Sequence, residues 1–202
     1  MSNDAYCFVD LETTGVDPRH DSIIEIGLLV TDINLTIHRR FSTLVVPDSR
    51  EKFAVDDEGA GQWVAGAADA ERIHSITPKA IYDNGIPENL ARSAVSHLLY
   101  GYSRVTLVSD NPAFEYAFLN AWYEGDDAHP FPFHYCPIGT GAGALAGLKK
   151  QHRQHRAYDD VMLTYVEALS LAEALDPGRG FALLSEVQLN RQNLSRYLAR
   201  QK

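Results

Sequence analysis

"FVDLETTGVDPRHDSIIEIGLLVTD", residues 8–32, places Asp10 and Glu12 one residue apart at the end of an apolar run and then starts a second apolar run. Side chains alternate faces along a strand, so residues 10 and 12 point one way and Leu11 the other. Two carboxylates aimed at one spot repel unless a cation lies between them. Hard oxygen donors suit Mg²⁺ or Mn²⁺ rather than zinc. A lone D-x-E pair is also common in solvated turns, so the reading needs support from elsewhere in the chain.

Working outward, "AYCFVD" (5–10), "SIIEIGLLVTD" (22–32) and "LTIHRRFSTLVV" (35–46) read as three strands. The short polar link "DINL" makes the last two an antiparallel hairpin, so the sheet is mixed. Residues 47–72, small and acidic, read as a surface loop with a fragment of helix. A Thr-Pro start in "ITPKAIYDNG" and the helical spacing of Leu90, Ala94 and Leu98 predict helices. "RVTLV" (104–108) reads as a buried strand. After it, Asn111 is a candidate N-cap, Pro112 a first helical residue, and Phe114, Phe118 and Trp122 an apolar stripe. "FPFHYCPI" reads as a last short strand. Residues 159–175 form an amphipathic helix with Val161, Tyr165, Ala168, Ala172 and Leu175 on one stripe. "PGRG" (177–180) ends it, leaving 1–180 as one domain and 181–202 as a helical extension.

The 202 residues suffice for one domain with its own core. With 45% hydrophobic and 22% charged residues, a mainly disordered or collagen-like chain is excluded. No apolar stretch approaches the ~18 residues of a membrane span. The start MSNDAYC has no signal-peptide pattern, so a cytoplasmic protein without membrane contact is expected. Cys7 and Cys136, far apart, read as two buried thiols. The net charge of −9 argues against broad adhesion to phosphate backbones, so any nucleic acid must be held locally.

Two further acids sit at helix starts: Glu115 after strand "RVTLV", and Asp160 in the first turn of the last helix, with His155 five residues before it. The helix macrodipole alone favours acids there. The joint pattern of four acids at element ends, with a histidine beside the last, points to a shared site.

These residues resemble a family. "FVDLETTG", "SDNPAFEYAFL" and "HRAYDDV" are similar to the three motifs of the DEDDh 3′→5′ exonucleases, which include the proofreading subunit of bacterial DNA polymerase III, RNase T and oligoribonuclease. "RIHSIT" (72–77) resembles the family's His-Gly-Ile-Thr segment, and His155, Ala157 and Asp160 match H-x-A-x-x-D. The resemblance runs from about residue 6 to 175. It implies a ribonuclease H-like fold with a central mixed five-stranded sheet flanked by helices. It also implies two divalent cations, Mg²⁺ or Mn²⁺, held by Asp10, Glu12, Glu115 and Asp160, and release of nucleoside 5′-monophosphates from single-stranded DNA or RNA 3′ ends. Two ions ~3.5–4 Å apart can activate water and stabilise both attacking and leaving oxygens. In this scheme Asp10 bridges the ions, Glu12 and Asp160 complete their shells, Glu115 binds mainly through water, and His155 takes the proton from the attacking water. Leu11, Thr13 and Phe114 match positions lining the terminal-nucleotide pocket. A homodimer is left open.

The chain also departs from the family. Glu115 stands where Asp is usual, Asp110 where His is common, and Ser75 where the His-Gly-Ile-Thr segment has glycine. A binding protein that keeps the fold without cleavage is therefore the alternative. In "KKQHRQHR", Lys149, Lys150, Arg153 and Arg156 would attract phosphate, and His152 rivals His155 as base but lies too early for the motif. "GTGAGA" (139–144) fits a loose dinucleotide fingerprint with Asp159 beyond it, yet no apolar run supplies the second strand that such a site needs.

Overall fold

In a computed structural model of the chain, the described residues are 3–48, 53–55, 61–63, 67–140 and 155–175. Strand β1 (Asp4–Thr13) pairs antiparallel with β2 (Ile23–Asp32), which pairs antiparallel with β3 (Ile37–Val46), as the short link requires. Two three-residue strands follow, β4 (Phe53–Val55) and β5 (Gly61–Trp63), paired with each other. Then come α1 (Ala67–His74), α2 (Pro78–Asn84), β6 (Ile86–Pro87), α3 (Glu88–Leu99), β7 (Arg104–Ser109), α4 (Pro112–Tyr123), β8 (Ile138–Gly139) and α5 (Ala157–Leu175).

The main sheet has the order β6-β3-β2-β1-β7-β8, with β7 parallel to β1 and β8 parallel to β7. It has six strands among the described residues rather than five. The addition is β6, a two-residue pairing beside β3 that is too short to show an alternation pattern, with its proline tolerated at a sheet edge. The expected strand over 131–138 shrinks to Ile138–Gly139. Phe131 instead stacks edge-on against Tyr116 and Tyr123, using its ring as packing. The hairpin of β4 and β5 lies in the stretch expected as a surface loop with a fragment of helix, and α1 supplies the helical part. Cys7 is buried as expected, whereas Cys136 is exposed. The extension over 181–202 lies outside the described residues.

Strand parity divides the core into two faces. Cys7, Val9 and Leu11 of β1 and Ile26, Leu28 and Val30 of β2 pack under α3 and α4. Phe8 and Leu29 face Val161, Met162, Tyr165 and Leu169 of α5. Because both faces are covered, β2 reads as a nearly continuous apolar run. The helix α2 is started by Thr77, whose side chain accepts the Ala80 N–H at 3.1 Å, with Pro78 at the first position.

By the same parity Asp10 and Glu12 lie on the α5 face, opposite Gly27 and Glu25 respectively. A β-carbon on Gly27 would stand 2.6 Å from the carbonyl of Ala157, so only a glycine lets the start of α5 lie on the sheet beside Asp10. Gly27→Ala should therefore lower unfolding free energy by about 1–3 kcal/mol, measured by urea denaturation. Ser75, at the family's usual glycine position, has φ of 60°, in the left-handed region. Ser75→Gly should raise stability by up to about 1 kcal/mol in the same assay, the relief of the β-carbon clash exceeding the entropy cost of glycine.

Candidate active site

Beyond the carboxyl ends of β1 and β7 lies a cleft of about 580 Å³ lined by Asp10, Glu12, Glu115, His155 and Asp160. Leu11, Thr13 and Phe114 are part of its wall. All eight residues singled out in the sequence thus meet in one place. Helix α4 reaches it from one face of the sheet and α5 from the other. Each helix presents its first turn, where partial positive charge favours carboxylates.

Two of the buried acids are held by specific donors. Ser109, the last residue of β7, donates its hydroxyl to Glu115 Oε2 at 2.8 Å, which gives the longer side chain at this position a fixed orientation. The backbone N–H of His155 donates to Asp160 Oδ2 at 2.9 Å. His155 has φ of 54°, a left-handed turn that histidine tolerates better than most residues, and the Asp160 N–H returns to the Arg156 carbonyl at 3.0 Å. The candidate base and the acid after it therefore share one backbone turn.

Glu12 is strongly perturbed. Burial, then the neighbouring carboxylates of Glu25 and Asp160, push its pKa up to about 8, while Arg156 opposes the shift. Glu12, His155 and Asp160 each offer a ligand atom within 4.8 Å of the others. This donor set fits a divalent cation, because a positive charge there would relieve the crowding that raises Glu12. Asp10 and Glu115 line the same cleft outside that triplet, so the tightest grouping includes the imidazole expected only as a base.

Three further residues contribute to the site in ways the sequence did not assign. Glu25, in the middle of "IIEIG", is 3% exposed and binds Arg156 and the Ala157 N–H; an acid inside an apolar strand was the available signal. Arg156, grouped in the sequence with phosphate-attracting residues, is engaged by Glu25. His74 closes the cleft from α1, its Nδ1 accepting the Ile76 N–H at 2.9 Å, and burial lowers its pKa to about 4, so it adds no positive charge there. Lys149, Lys150, His152 and Arg153 lie outside the described residues, as do residues 141–144 of the glycine-rich stretch.

The RNase_T family profile, described as Exonuclease, matches residues 7–58, which contain the first acidic pair and Glu25. Oligoribonuclease of Photorhabdus laumondii is 28% identical over 171 residues, covering 79% of this chain and 89% of the relative. Oligoribonuclease of Escherichia coli K12 is 40% identical over 70 residues, 35% of this chain and 39% of the relative. The chain is similar in sequence to these exonucleases and carries the DEDDh motifs in the same order. Solved structures agree in fold. Exonuclease I of Methylocaldum szegediense superposes with a TM-score of 0.62 at 17% identity, covering 90% of this chain. E. coli exonuclease I in complex with a 5cy-dT13 oligonucleotide gives 0.60 at 17%, again covering 90%. The chain spans 43% of the length of each. The departure at Glu115 is accommodated by Ser109, whereas Ser75 keeps the left-handed backbone that a glycine would adopt without strain.

A linkage follows for the metal-free protein. Folded Glu12 holds a proton that the unfolded chain releases, so stability should fall as pH rises from 4.5 to about 8. Adding Mg²⁺ or Mn²⁺ should restore it at the upper end. Melting temperatures across this range, with chelator and with cation, check the prediction. A cation effect that is the same at every pH contradicts it.

Proposed function

We propose that this protein is a divalent-metal-dependent exonuclease that removes nucleoside 5′-monophosphates from the 3′ ends of single-stranded nucleic acid. The observation that carries the reading is the meeting of acids from β1, α4 and α5, with one imidazole, in a single cleft. The oligoribonuclease relatives and the exonuclease I–oligonucleotide complex support a single-stranded substrate. The net charge of −9 favours short strands over long duplexes, whose binding relies on many cationic contacts. The non-cleaving alternative is not favoured, since binding alone requires neither the retained acids nor a base.

Asp10, Glu12, Glu115 and Asp160 would hold two cations, Mg²⁺ or Mn²⁺, as suits hard oxygen donors. Such ions, when bound, lower the pKa of water and stabilise charge on the attacking and leaving oxygens. Leu11, Thr13 and Phe114 wall the terminal nucleotide. His155 accepts a proton from the attacking water on a ring nitrogen, and the Asp160 contact to its backbone keeps the ring's loop in place. Water oxygen bonds to phosphorus and the bond to the 3′ oxygen breaks. The released nucleotide keeps the phosphate and the shortened strand gains a 3′ hydroxyl. Homodimerisation and a cytoplasmic setting complete this reading, and sedimentation of the full chain checks the first. Among the described residues no helix is long and apolar enough to cross a membrane.

5′-labelled single-stranded DNA and RNA, incubated with Mg²⁺ or Mn²⁺, should give a ladder that shortens from the 3′ end. Asp10→Ala should abolish it, and His155→Ala should lower kcat by about 100- to 10,000-fold, the usual contribution of a general base. Intact oligonucleotide with the unaltered protein, despite measurable binding, rejects the proposal.

A further inference from the structure

Glu25 lies opposite Glu12 in the β1–β2 register, where like charges on one sheet face destabilise. Its carboxylate is answered from α5. Arg156 Nη2 donates to Oε1 at 2.7 Å, Arg156 Nε lies 3.2 Å from both oxygens, and the Ala157 N–H donates to Oε2 at 2.9 Å. The planar guanidinium therefore lies along a carboxylate whose side chain is 5% exposed, while half of the arginine side chain faces solvent. An N–H at the start of α5, one of the donors that a helix cannot satisfy internally, is satisfied by a strand residue 132 positions earlier.

Two residues along the same strand, Gly27 leaves the space that the Ala157 carbonyl occupies, since a β-carbon there would stand 2.6 Å from it. Glu25 and Gly27 together fix both polar and steric contact between β2 and α5. His155 and Asp160 sit on the turn so held, joined to it by the His155 N–H to Asp160 bond and the Asp160 N–H to Arg156 bond.

We propose that the Glu25–Arg156 pair is a positioning clamp that docks the start of α5 on β2 in one register, and so sets His155 and Asp160 against Asp10 and Glu12. The clamp rests on the exonuclease reading for its consequence, and it removes Arg156 from the phosphate-binding role that its place in the basic run implied. Displacing a reacting group by ~1 Å can cost on the order of 100-fold in rate. Lysine does not replace the arginine, because a point charge lacks the planar fork that fixes orientation.

Alanine at position 156 would strand a buried carboxylate and destabilise the fold, so the test uses Arg156→Lys, Glu25→Gln and the double variant. Each is measured for kcat and KM on a short 5′-labelled single-stranded oligonucleotide with Mn²⁺, alongside thermal unfolding. Each single variant should lose on the order of 10- to 100-fold in kcat with KM unchanged within about twofold, and the double variant should lose no more than the worse single. The proposal is overturned if Arg156→Lys raises KM at constant kcat while Glu25→Gln behaves as the unaltered protein, or if the losses multiply. Amide hydrogen exchange gives a second readout. The Ala157 and His155 N–H groups should lose protection in either single variant while the β1–β2 ladder keeps its own, and unchanged protection counts against the clamp. If the glutamine variant does not fold, Arg156→Lys alone carries both readouts. Unaltered protein that leaves the oligonucleotide intact rejects the exonuclease reading, and the exchange result still decides the clamp.

Discussion

Carboxylates buried side by side repel, and this chain gathers several of them at the end of one strand. Glu12 carries the consequence, with a pKa pushed up to about 8 by burial and by its acidic neighbours. The surrounding structure counters that repulsion at three of the acids: a guanidinium on Glu25, a hydroxyl on Glu115, a backbone N–H on Asp160. Such an arrangement is costly as a stability device and coherent as a cation site, because the donors are preorganised before the ion arrives.

The sheet makes the gathering possible. Strand parity sends Leu11 into the core under α3 and α4 and turns Asp10 and Glu12 toward α5. Helices on opposite faces then approach the same sheet edge with their first turns, so oxygen donors arrive from both sides. The Gly27 contact sets how near α5 comes, and a single methyl group there would hold it away.

Much of this was legible in advance because it is local. The alternation in β1, the unbroken apolar run of β2, the four-residue link to β3 and the stripes of α3, α4 and α5 are short-range patterns, and the corresponding elements form. What escaped notice lacked such a pattern. The two-residue β6 has no period, and the aromatic residues at 131 and 133 resemble a strand while serving as core packing. Arg156 shows the same limit of local patterns. Its neighbours in sequence are basic, but its partner in space is an acid 131 positions away.

The sequence by itself determined which residues could do the chemistry: D-x-E at a strand end, an acid in the first turn of each of two helices, and H-x-A-x-x-D spacing are statements about neighbours along the chain. Tertiary structure alone decided that Glu25 faces Glu12 and is paired with Arg156, that Ser109 steadies the longer Glu115, and that the imidazole of His155 comes within ligand range of Glu12 and Asp160. These are contacts across strand register and helix docking. Register is set by the burial of whole faces rather than by any one residue, so no local stretch of sequence encodes them.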